Sequence, residues 1–209
     1  RVIVPDHIGF GESAHPPDAD YSPAAQAERL HALTSALGIK EIHIGGSSMG
    51  GQIAMSYAVK FRSAVKSLWL IDTAGIWSAP ASELRKAIEE TGKNPLLIRT
   101  EDEFAGLFPW VMAEPPFIPR PIMNGLAQER IRNFDLEQRI FVQIAGDSME
   151  ERVRGMETPT LIVWGDKDRT INVATAEVLR SLLPRSTVVI MPGIGHVPVI
   201  ERPRESADD

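Results

Sequence analysis

Short aliphatic runs alternate with helix-period patterns over the first third of the chain and again over its last quarter. Val2–Val4 is β-branched, ends at Pro5 and reads as a buried strand. A loop rich in Gly, Pro, Asp and Ser follows from Asp6 to Tyr21. Ser22 and Pro23 carry the signature of an N-cap and first helical residue, and Gly38 offers a stop after about Leu37. Glu41–Gly45 reads as a second strand, Met49–Phe61 as a helix, and Ser67–Asp72 as a third strand closed by a turn at Gly75. This rhythm predicts right-handed βαβ units and a mostly parallel sheet with helices on both faces. From Trp77 to Arg152 only helical patterns appear, broken by the proline cluster 115–121. The strand pattern resumes at Pro159–Trp164, with a helix over Val173–Leu183 and a last strand at Ser186–Met191. Residues 1–76 and 152–209 therefore read as an α/β core, and 77–151 as a helical insertion between two of its strands.

Length and composition narrow the class. A chain of 209 residues suits one domain with an insertion, and 43% hydrophobic residues supply a sizeable core, which excludes disorder. The net charge of −6 argues against nucleic acid, which needs a basic footprint. There is no cysteine, so disulfides, thiolate metal sites and a cysteine nucleophile are excluded, and a cytoplasmic location is favoured without ruling out export. No apolar run reaches the roughly 18 residues of a spanning helix. The chain opens on strand pattern with neither an initiator Met nor a signal peptide, so it is expected to begin inside a domain.

The chemistry concentrates at Gly46-Ser47-Ser48-Met49-Gly50-Gly51, which matches G-x-S-x-G around Ser48 between a predicted strand and a predicted helix. A sharp strand-to-helix turn strains its central residue, so Gly46 and Gly50 are expected at positions where a Cβ would collide. Ser48 is then lifted above the sheet at a helix N-terminus, with the Met49 N–H as an oxyanion donor. Ser47 fits no glycine frame of this kind. The same stretch also admits a plain glycine-rich turn with an incidental serine.

A serine hydroxyl needs a base, and the base an orienting acid. Trp164-Gly165-Asp166-Lys167-Asp168 leaves one strand as a polar turn, and Gly193-Ile194-Gly195-His196 leaves the next. Asp168 is the expected acid and His196 the expected base, in the chain order serine, acid, histidine. Asp166 reads as a turn residue. Asp72 also ends a strand and is the alternative acid. His31 reads as a surface or interface residue, His43 as a satisfied core histidine, and His7 as a candidate pocket residue.

Together these stretches resemble the α/β-hydrolase superfamily along nearly the whole chain. Pro5–Ser13 is similar to its loop after the fourth strand, and the Asp168 and His196 stretches to its acid and base loops. Gly46–Gln52, Ala74-Gly75 and Ile200–Arg204 resemble the monoacylglycerol-lipase-like and bacterial lipase or esterase branch. The resemblance implies a serine hydrolase that cleaves carboxylic esters through an acyl-enzyme on Ser48, with no cofactor and no metal. It implies that the second oxyanion donor belongs to a His-Gly-type loop, and that the first strands and last helix lie outside this sequence. The insertion is expected to cap the site, with Phe108, Trp110, Met112, Phe117 and Ile118 facing a small-molecule ester with an apolar acyl chain. Oligomeric state and membrane association stay open. Epoxide hydrolases and haloalkane dehalogenases share the Gly9-Phe10-Gly11 loop but use an aspartate nucleophile where this chain has Ser48. A C–C bond hydrolase of ring-cleavage diketones uses the same triad and is the enzymatic alternative. A non-catalytic binding protein on the same fold is the other.

Overall fold

A computed structural model describes residues 1–208 of the chain. In chain order the elements are α1 (Pro23–Ala36), β1 (Ile42–Ser47), α2 (Met49–Lys60), β2 (Val65–Ile71), α3 (Glu83–Thr91), α4 (Glu101–Val111), α5 (Arg120–Arg132), α6 (Phe134–Ala145), α7 (Glu150–Val153), β3 (Thr160–Gly165), α8 (Ala174–Leu182), β4 (Ser186–Met191), α9 (Pro198–Glu201) and α10 (Glu205–Asp208). Among the described residues the four strands form one sheet in the order β1-β2-β3-β4, every pairing parallel.

The local chemistry explains the boundaries. The Ser22 hydroxyl accepts from the Ala25 N–H at 3.2 Å, and Pro23 opens α1 where no intrahelical N–H is needed. Gly38 then turns the chain out at φ +69°. Thr100 and Glu103 cap α4 reciprocally.

Successive strand residues point to opposite faces, so Leu68, Leu70, Ile162 and Trp164 share one face. There they are buried with Ile53, Ala54 and Tyr57 of α2 and Leu179 of α8, while Ala27 of α1 joins from behind α2. Ile71, Val163 and Met191 form a smaller cluster on the other face, closed by Ile194 from the loop after β4. The helices between β2 and β3 have a core of their own, built from Ile98, Phe104, Leu107 and Ala127.

Two expectations fail. Val2–Val4 is not a strand: it pairs with none of the four, and Val2 and Val4 are each 87% exposed. A β-branched run makes a strand only when a neighbour accepts its backbone hydrogen bonds, and none of the described strands pairs with it. His43 is not in the core either. It is exposed, on the face opposite Ile42 and Ile44, with its Nδ1 2.7 Å from the Ser67 hydroxyl. His31, expected at a surface or interface, is half-buried on α1, where it stacks on Phe61 and meets the Tyr57 hydroxyl of α2 at 3.0 Å.

Candidate active site

The carboxyl ends of β1, β2, β3 and the loop after β4 converge, and each contributes one chemical group. Ser48 stands between the last residue of β1 and the first of α2 at φ 53°, ψ −118°. Such a conformation costs a non-glycine residue about 1–3 kcal/mol and persists only where its surroundings enforce it. Here β2 enforces it: the Ser48 N–H donates to the Ile71 carbonyl at 2.9 Å, and the Ser48 carbonyl accepts from the Ala74 N–H at 3.0 Å. Gly46 is obligatory, because a Cβ there would sit 2.2 Å from the Gly50 carbonyl group. The expectation for Gly50 is corrected: a Cβ on it would meet nothing within 4 Å. The second crowded position is Gly51, whose Cβ would fall 2.1 Å from the Thr73 hydroxyl. Met49 is the first residue of α2, so its N–H has no intrahelical acceptor and is free to point at a ligand.

The acid and base loops are locked together. A Cβ on Gly165 would lie 2.1 Å from the Gly195 carbonyl, so only glycine lets them approach. Asp168 Oδ1 accepts from the N–H groups of Thr170 at 2.8 Å and Ile171 at 2.9 Å. His196 Nδ1 lies 2.8 Å from Asp168 Oδ2, and both side chains are buried. The Nδ1–H is therefore the donor, which leaves Nε2 free to take a proton. Asp166 braces the base loop by accepting from the Gly193 N–H at 2.6 Å.

Two acidic groups at this centre have structural parts that spacing did not assign. Glu201 accepts from the Gly195 N–H at 2.8 Å, and its other oxygen accepts from the Ala113 N–H at 2.8 Å. It thus ties the base loop to the segment after α4, as does the His196 N–H donated to the Val111 carbonyl at 3.0 Å. The sequence signals for Glu201 are its place five residues after His196 and its position in the Ile200–Arg204 stretch that carries the family resemblance. Asp72 is fully buried at φ 42°, with Oδ1 accepting from the Gly165 N–H at 3.0 Å. Burial, and next the charge of Asp168, push its carboxyl well above the usual carboxylate range, against the opposing Gly165 N–H. Atoms of Asp72, Asp168 and His196 lie within 4.8 Å of one another. The imidazole proton already spans His196 and Asp168, an arrangement that suits proton handling better than a cation.

A cavity of about 830 Å³ opens at Ser48 and Met49. Its walls include Gly9 and Phe10 from the first loop, Ile76 and Trp77 after β2, Leu84 and Ile88 of α3, and Ile140, Phe141 and Ile144 of α6. Arg85 and Arg130 also border it, each paired with a carboxylate, Glu89 at 2.9 Å and Glu137 at 2.6 Å.

The expected pocket residues Phe108, Trp110, Met112, Phe117 and Ile118 are not on these walls, and neither is His7. Phe108 packs edge-on against Phe104 at 5.5 Å, inside the insertion's own core. Trp110 lies under the Arg169 guanidinium at 4.6 Å. The Met112 backbone abuts Gly195, Phe117 is 92% exposed and Ile118 is half-buried. The apolar face of α4 is spent on α5, which leaves α6 and the segment after β2 to face the serine. The signal that could have found them is the apolar set Ile140, Phe141, Ile144 on one face of a helix.

A parallel sheet whose strand ends present serine, aspartate and histidine in that chain order defines the class, a serine-elbow hydrolase of the α/β type. Comparison with known proteins agrees. The alpha/beta hydrolase fold family matches residues 1–115 and 117–203. Lipase 1 of Psychrobacter immobilis is 44% identical over all of this chain and 67% of its own length. A monoacylglycerol lipase of Xenopus laevis is 32% identical over 99% of this chain and 64% of its own. The crystal structure of a membrane phospholipase A, a bacterial virulence factor, superposes with a TM-score of 0.92 at 40% identity, covering 97% of this chain and 66% of that one. The chain belongs to the α/β-hydrolase fold family, and it spans about two thirds of the length of these relatives.

Proposed function

We propose that the protein hydrolyses carboxylic esters of lipid type through an acyl-enzyme on Ser48. The observation that carries this reading is the strained serine on the wall of a largely apolar cavity, together with a buried Asp168–His196 pair on the loops after β3 and β4 of the same sheet. His196 Nε2 takes the Ser48 proton as the hydroxyl oxygen attacks the ester carbonyl, and Asp168 holds the imidazole and stabilises the imidazolium. The oxyanion that forms is met by the Met49 N–H at the start of α2. Collapse expels the alcohol, which takes the proton from His196, and water activated by the same nitrogen then releases the acid.

The acyl chain is assigned to the surface made by Ile76, Trp77, Ile140, Phe141 and Ile144. The two arginines on the wall are already paired with glutamates, which supports a neutral ester over the carboxylate-bearing diketone of a C–C hydrolase. The lipase names among the relatives support the same choice. The test is hydrolysis of p-nitrophenyl esters from acetate to palmitate by the full-length protein and its Ser48→Ala form. Activity that rises beyond the shortest esters and disappears in the variant supports the reading; equal, slow hydrolysis by both proteins defeats it.

A further inference from the structure

We propose that Asp72 is a positioning residue of this site, donating a hydrogen bond from its carboxyl group to the Asp168 carboxylate and so fixing the acid that orients His196. The proposal rests on the triad reading above.

The strand register brings the two acids together. Ile71 pairs with Val163, and the Asp72 N–H donates to the Val163 carbonyl at 3.0 Å, so the chains leave β2 and β3 side by side. Asp72 is 0% exposed, and while its Oδ1 takes the Gly165 N–H, its Oδ2 has no partner among the described residues. A buried oxygen left unpaired is costly, and a buried carboxylate with one hydrogen bond and no cation is costlier still. A proton on Oδ2 removes both problems, provided an acceptor is near. Asp168 is that acceptor. Its two oxygens offer about four lone-pair sites, and the Thr170, Ile171 and His196 N–H groups fill three of them. One site remains for Asp72.

The surrounding charges favour this arrangement. Asp168 from the loop after β3, His196 from the loop after β4 and Glu201 from α9 are the titratable groups facing Asp72. Among the described residues no lysine or arginine pairs with it, so nothing would offset a second negative charge beside Asp168. The shared proton leaves one net charge on the two carboxyls, enough to stabilise one imidazolium. It also anchors Asp168 through the strand next to its own. An alternative in which Asp72 is a reserve acid for the imidazole has a different signature, because that role needs an ionised Asp72.

The experiment compares Asp72→Asn and Asp72→Leu in the full-length protein. The asparagine amide keeps an acceptor for Gly165 and supplies a donor for Asp168, and asparagine tolerates a positive φ. Leucine supplies neither group. Asp72→Asn is expected to keep kcat within about twofold, whereas Asp72→Leu loses roughly tenfold or more in kcat with KM little changed. The infrared difference spectrum between wild type and Asp72→Asn is expected to contain a protonated-carboxyl C=O band. The proposal is overturned if Asp72→Asn loses as much activity as Asp72→Leu, if neither loses any, or if that band is missing. Ser48→Ala in the same series separates the two levels. An active Ser48→Ala takes down the triad reading and this proposal together; an inactive one with flat Asp72 variants takes down this proposal alone.

Discussion

The strand-end loops and the helical insertion face each other across one cavity, yet they are built on opposite logics. Around Ser48, Asp168 and His196 the backbone has almost no freedom. Gly46, Gly51 and Gly165 sit where a Cβ would strike neighbouring atoms at 2.1–2.2 Å, the serine and the acid loop are clipped to adjacent strands by backbone hydrogen bonds, and the base loop is tied to the acid loop and to Val111. In the insertion, a Cβ on Gly106 or Gly125 would meet nothing within 4 Å, and the helices pack through apolar side chains. The difference teaches where chemistry and where selectivity reside. On the proposed reading, the rigid loops fix the reacting atoms and the insertion supplies much of the acyl wall.

The largest effect expected on the rigid side is loss of the nucleophile. Ser48→Ala should lower ester kcat by roughly 10⁴-fold or more, with His196→Ala close behind because the two act as a unit. The elbow offers a sharper break of the comparison. Gly46→Ala forces a Cβ onto the Gly50 carbonyl and should destabilise by about 1–3 kcal/mol or more while abolishing turnover. Gly50→Ala, four residues on, should be tolerated and even gain about 0.5–1 kcal/mol of helix stability. Thermal melts and ester assays on the pair check both, and equal damage would mean that crowding is not what fixes Ser48.

The insertion is expected to respond by degree. Ile144→Ala and Phe141→Ala should change the preferred acyl length, shifting kcat/KM for long esters by about tenfold while short esters barely notice. Phe117→Ala, at a fully solvated side chain, should leave that preference unmoved. Chain-length profiles of the three variants decide whether the wall is α6 or the proline segment.

The smallest effect is a slope with pH. The Asp72 carboxyl stays protonated in the fold well above its ordinary range. Below about pH 4 the folded and unfolded states both hold that proton, so wild type and Asp72→Asn respond alike. As pH rises, the unfolded state releases the proton first and wild-type stability falls until the folded carboxyl also ionises. Asp72→Asn lacks this loss, so its melting temperature should gain on wild type as pH rises above about 4. A constant gap across that range would contradict the burial argument.

The same contrast sets how much was legible in the sequence. Ser22-Pro23 and Gly38 marked α1 because capping is local chemistry, and the strand-loop positions of Ser48, Asp168 and His196 followed from motif and chain order. Sterics between distant residues were not legible: Gly51 matters through Thr73, and Gly50 turned out free. Val2–Val4 had the composition of a strand without a partner beside it. Phe108 and Trp110 of α4 do not line the cavity while Ile140, Phe141 and Ile144 of α6 do, because both helices are amphipathic and only tertiary packing decides which face meets it. Asp72 was visible as a strand-end acid, but the register that brings its carboxyl within 4.8 Å of Asp168 is a property of the sheet.

The most direct test of the central claim is to treat the full-length protein with a fluorophosphonate and locate the adduct by peptide mass spectrometry. One adduct on Ser48, lost in Ser48→Ala and slowed strongly in His196→Ala, is the expected result. Labelling at another residue, or none in the folded protein, would contradict the assignment of Ser48 as the nucleophile.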